Sequence, residues 1–96
     1  MKTVGTHIRT LRQNKALFLR QVASALDMDQ AILSKIERGE RRATRQQIDA
    51  ISHFFNIQNN ELLIAWLSDK VYYQLKDEEV AQEVLKAAEH KILYKN

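Results

Sequence analysis

Gln30, Ala31, Ser34, Lys35 and Arg38 recur at the spacing that gathers side chains on one face of a helix. Their types suit the edges of bases in a DNA major groove. A glutamine amide can pair with N6 and N7 of adenine, a lysine amine can bond O6 or N7 of guanine, and an alanine methyl can touch the methyl of thymine. Ser34 is small enough to allow close approach. Arg41, Arg42 and Arg45 follow directly. Their guanidinium forks match phosphate oxygens, contacts that set register and much of the affinity for a polyanion. Taken one at a time, these residues would be no more than a solvated helix face and a charged loop.

Other chemistry is absent from the chain. His7, His53 and His90 are scattered, and none has a partner at metal-ligand spacing. There is no glycine-rich phosphate loop and no nucleophile elbow. Glu78 and Glu79 are most simply a charged first helical turn. The sequence holds no cysteine, so there is no disulfide framework and no thiolate metal site. No catalytic residue, cofactor or metal is expected, and the chain does not read as an enzyme.

Two short amphipathic helices must hold the reactive face in place. Val22, Ala23 and Leu26 make the apolar side of the first, and Leu33 and Ile36 that of the second. Asp27-Met28-Asp29 leaves room only for a turn between them. Asp29 is a good N-cap, because its carboxylate accepts from orphan N–H groups of the next turn. Gly39 is a good stop, because glycine enters the left-handed region freely. A helix, a tight turn and a capped second helix form a helix-turn-helix pattern, whose second helix can enter a major groove.

The likeness goes beyond periodicity. Val22-Ala23, Leu26-Asp27-Met28 and Leu33-Ser34-Lys35-Ile36-Glu37-Arg38-Gly39 resemble the Xre/Cro-type, phage-repressor-like helix-turn-helix family. Ile8 to Arg12 resembles its first helix and Ile57 to Leu63 its last, so the resemblance covers roughly the first two-thirds of the chain. It implies an all-α, five-helix repressor-like domain. It implies Gln30, Ala31 and Lys35 as base readers, with Ser34, Arg38, Arg41, Arg42 and Arg45 on the DNA backbone. Arg12 could be a solvated arginine; the resemblance pairs it with Glu37, tying the first helix to the end of the third.

Four positions depart from the family pattern. Phe18 stands where a Ser or Thr cap is usual, and its preferred reading is a core or staple residue. Leu19 replaces a glutamine that commonly touches DNA; it would lie against sugar or thymine methyl groups, or against a protein partner. Asp27 replaces a glycine in the turn, and Ala43 a proline in the loop that carries the arginines.

The 96 residues suffice for one domain with a helical extension. There are no prolines and two glycines, which favours an almost wholly helical chain. The net charge of +3 is asymmetric: residues 1–45 hold ten basic and four acidic side chains, a balance of +6, while 46–96 hold five and eight, a balance of −3. The basic half is the half that carries the helix-turn-helix. No long apolar run or signal-peptide pattern is present, so a cytoplasmic protein is expected; the resemblance implies a prokaryotic or phage, nucleoid-associated one.

In chain order, residues 1–5 read as a loose start and 6–15 as the first helix, followed by helices over 19–26 and 30–38. Glu40 to Arg45 reads as a loop. Thr44 and Gln47 can form a capping box for a fourth helix ending near Asn56. A fifth starts at Asn59 or Asn60, with Leu62, Leu63, Trp66 and Leu67 inward, and continues to Leu75. Asp77 is expected to cap a last helix whose stripe is Val80 or Ala81, Val84, Leu85, Ala88 and Ile92. That stripe needs a cover, either the chain's own domain or, as preferred, a second copy. The expected division is a DNA-binding domain over 1–67 and an extension over 68–96. The expected function is sequence-specific transcriptional regulation, of the repressor or autoregulator type, by a homodimer on an inverted-repeat operator in double-stranded DNA. The alternative is a protein-interaction module on the same scaffold, such as an antitoxin whose partner takes the C-terminal helix.

Overall fold

The computed structural model describes residues 3–95, and the described residues form helices without strands. The helices are α1 (Val4–Asn14), α2 (Leu19–Ala25), α3 (Gln30–Glu37), α4 (Arg45–Phe54), α5 (Glu61–Leu75) and α6 (Ala81–Leu93). Side chains start three of them. Thr3 Oγ1 accepts from the Thr6 N–H, and Asp29 Oδ1 from the N–H groups of Ala31 (2.7 Å) and Ile32 (3.3 Å). Thr44 and Gln47 form a reciprocal box, each side chain accepting from the other's N–H at 3.1 and 2.9 Å.

Helices α1 to α4 all stop in the same way. A residue in the left-handed region follows each: Ala16 (φ 55°), Asp27 (52°), Gly39 (76°) and Asn56 (55°). The next N–H then bonds back over the helix end, as from Leu17 to Arg12 O (3.1 Å) and from Met28 to Ala23 O (2.8 Å). Gly39 and the Asp27 turn are plain in the sequence. Ala16 carries no such signal, and its Cβ makes that conformation costly.

One cluster of buried side chains holds α1 to α5 together. Ile8, Val22, Leu33, Ile48, Ile51 and Leu62 have no exposed surface, and Trp66 closes one edge. Each such aliphatic side chain contributes about 1.5–3 kcal/mol relative to an exposed one. The buried Trp66 indole donates to Ala43 O at 2.8 Å, which fixes the loop after α3 against α5. Ala43, where a proline was the usual residue, is thus buried and bonded.

Several expectations are corrected. Val4 and Gly5 are not part of a loose start; they are buried in α1, whose N-cap is Thr3, while Met1 and Lys2 lie outside the described residues. A Cβ on Gly5 would run into the backbone oxygens of Ile36 and Glu37, so a glycine is what lets α1 lie against the end of α3. Phe18 is neither core nor staple: it is 58% exposed, with the Arg20 guanidinium 4.5 Å above its ring. It sits at the N-cap of α2, outside the apolar face, and Gln21 Oε1 accepts its N–H at 2.7 Å. Arg45 belongs to the first turn of α4 and not to the loop. Leu67 is on the outer side of α5, and Asp77 caps nothing, since α6 begins after Val80 without a side-chain cap.

The boundary expected after residue 67 falls inside α5. Asp69, beyond it, accepts the Val4 N–H at 2.9 Å and so belongs to the packed unit. The apolar stripe of α6 does not fold back on that unit. No residue of α6 is buried, and Val84, Leu85 and Ile92 remain exposed. An open groove lined by Val71, Leu75, Val84, Leu85 and Ala88 separates α6 from the end of α5.

Candidate nucleic-acid interface

The geometry of the candidate face is set from beneath. Val22 and Ala23 of α2 and Leu33 and Ile36 of α3 are buried in the common core, which leaves the opposite side of α3 to solvent. Asp27 in the left-handed region and Asp29 at the cap join the two helices with no slack. The chain thus joins α3, a short helix with a side-chain cap, closely to the end of α2.

A bidentate ion pair braces the far end of α3. Arg12 Nε donates to Glu37 Oε2 at 2.8 Å and Arg12 Nη2 to Glu37 Oε1 at 3.0 Å. Arg12 Nη1 also donates to Leu17 O at 2.9 Å, reaching the segment that enters α2. The Glu37 side chain is 4% exposed and that of Arg12 13%. The guanidinium is held above its ordinary pKa by its hydrogen bond to Glu37, against desolvation by partial burial, with Coulombic attraction adding to the rise. One arginine therefore ties α1, the entry to α2 and the exit from α3.

Gln30, Ala31, Ser34, Lys35 and Arg38 lie together along one shallow, open cleft. Gln30 and Lys35 make no side-chain hydrogen bond or ion pair among the described residues. Arg38 is partly engaged, with Nε 3.3 Å from Ser34 O and 3.5 Å from Glu40 Oε2. The other arginines do not share that cleft. Arg41 and Arg42 border a small cavity of about 70 Å³ with Gly5, Trp66, Asp69 and Tyr73. The Arg42 guanidinium stands 5.9 Å from the Tyr73 ring. Arg45 is exposed at the start of α4. Lys35 and Arg38 therefore line the open face of α3, while Arg41, Arg42 and Arg45 do not.

Leu19, expected against sugar or thymine methyl groups or against a protein partner, completes the cleft. Leu19, the first residue of α2, lines it beside the α3 side chains and packs its inner part on the core.

An all-helical bundle that presents a capped helix across a tight turn defines a helix-turn-helix protein. The chain belongs to the helix-turn-helix domain family, whose model it matches over residues 3–63. No curated protein and no solved structure matches it. No helix among the described residues is long and apolar enough to cross a membrane.

Proposed function

We propose that this protein is a sequence-specific DNA-binding transcriptional regulator of the Xre/Cro type, a repressor or autoregulator that binds an inverted-repeat operator as a homodimer in the cytoplasm. The observation that carries the reading is the open face of α3, where the side chains of Gln30 and Lys35 make no hydrogen bond or ion pair among the described residues and the Ala31 methyl lies beside them in the same cleft. These are side chains that read base edges. Ser34, Arg38, Arg41, Arg42 and Arg45 are assigned to the DNA backbone, in the half of the chain whose charge balance is +6. Two copies would set their α3 helices in successive major grooves about 34 Å apart.

Selection from a random duplex pool at near-physiological salt tests this. An inverted repeat should be enriched, and Lys35→Ala should relax preference at one position in each half-site, by about 1–3 kcal/mol. Sequence-blind retention that vanishes with added salt would refute it. The bare apolar face of α6 favours a second reading, a protein-interaction module of antitoxin type whose partner covers that helix. It predicts no enriched operator for the chain alone.

A further inference from the structure

The cleft along α3 is lined by both polar and apolar side chains. Gln30, Lys35 and Arg38 supply long polar side chains, Ala31 and Ser34 are small, and Leu19 is its one large aliphatic group. Leu19 is held there from behind, since it is half-buried and packed on the core. A branched side chain in the same open cleft as two small residues gives a hydrogen-bonding surface an apolar part with room for a small group. The major-groove edges of the base pairs expose one apolar group, the C5 methyl of thymine. No base-edge donor or acceptor could be satisfied by Leu19, and desolvating one against it would be unfavourable.

Resting on the DNA-binding reading above, we infer that Leu19 is a specificity-determining residue: with Ala31 it receives the C5 methyl of a thymine in the major groove. The amide of Gln30 and the amine of Lys35 read hydrogen-bonding edges, while Leu19 distinguishes pyrimidines by a methyl group alone. The position thus reads shape and apolar surface where a polar residue would read a hydrogen-bond pattern. Burial of one methyl corresponds to about a fourfold difference in affinity at each half-site.

The test uses the full chain and the duplex recovered by selection, with each thymine replaced in turn by deoxyuridine, which removes only the methyl. Wild-type protein should lose about fourfold in affinity at one position per half-site. Leu19→Ala should bind the thymine and uracil duplexes equally at that position, and Leu19→Met should keep most of the distinction. The readout is a ratio within each variant, so a change in the folded fraction cancels. A wild-type protein indifferent to every such replacement, or a Leu19→Ala protein that still distinguishes them, overturns the assignment. Placing 5-methylcytosine in the site separates the other source of the same methyl: a gain there, with indifference to uracil, also overturns the thymine assignment. A pool that enriches no site overturns the DNA-binding reading itself, and this inference with it.

Discussion

Removing Arg12 should cost the fold far more than a surface arginine would. In Arg12→Met the Glu37 carboxylate keeps its place, 4% exposed, but loses both guanidinium hydrogen bonds. Breaking a buried pair from one side typically costs about 3–5 kcal/mol, because an uncompensated charge stays behind. Leu17 O also loses its donor, worth about 1 kcal/mol. A small domain has about 5–15 kcal/mol in all. The double variant Arg12→Met with Glu37→Met removes both charges and should recover to within about 1–2 kcal/mol of wild type. Urea unfolding at fixed protein concentration, followed by fluorescence of the single, buried Trp66, reports both. The single variant should shift the midpoint down by at least about 1 M. A single-variant loss under about 1 kcal/mol would mean that the pair behaves as an exposed ion pair, and the argument that it braces α3 would fail.

Three other outcomes are expected. Ala16→Gly should stabilise by about 1 kcal/mol, a rise in Tm of about 4–8 °C, because the left-handed backbone at φ 55° penalises a Cβ; thermal melts check this. Gly5→Ala should destabilise by about 1–3 kcal/mol or more, since its methyl would meet the Ile36 and Glu37 oxygens, and circular dichroism in urea should show the lowered midpoint. Arg41→Ala should weaken binding to all duplexes alike and lower the salt slope by about one, as read from titrations at several salt concentrations.

Much of the helix-turn-helix was legible because its signals are local. Asp29 and Thr44 cap by their own side chains, Gly39 and Asp27 stand at left-handed positions, and Leu33 and Ile36 show the inward face by spacing alone. What was not legible depends on groups far apart in the chain. Gly5 reads locally as a helix breaker, yet it sits in α1 because the backbone of Ile36 and Glu37 passes close by. Ala16 adopts its conformation because the bonds closing α1 and the packing of Leu17 demand it, against its own preference. Phe18 is a large apolar side chain that stays exposed because its position falls outside the apolar face of α2. At the candidate site, α3 was readable as one helical face. Leu19 was readable as an outward apolar residue with two alternatives, and its place in the cleft, like that of Arg41 and Arg42 apart from it beside Trp66 and Tyr73, follows from how α2, α3 and α5 are packed.

The C-terminal helix bears on whether the proposed regulator works as one copy or two. Helix α6 has 13 residues and none is buried. A helix of that length is marginal in water unless packing supports it. Its outward Val84 and Leu85 line an open apolar groove with Val71 and Leu75 of α5, and Tyr72 and Ile92 are exposed as well. Covering this apolar surface would stabilise α6, so association and helix formation should be coupled, and both should depend on protein concentration. A second copy is the economical cover if the operator is an inverted repeat, because a two-fold axis through this surface would repeat the α3 face once per site. Leu85→Glu should then lower the sedimenting mass to that of one chain, reduce helicity in the C-terminal region, and weaken binding to a full operator much more than to a half-site. Equal losses on both duplexes, with unchanged mass, would place the role of this surface elsewhere and favour a protein partner of another kind.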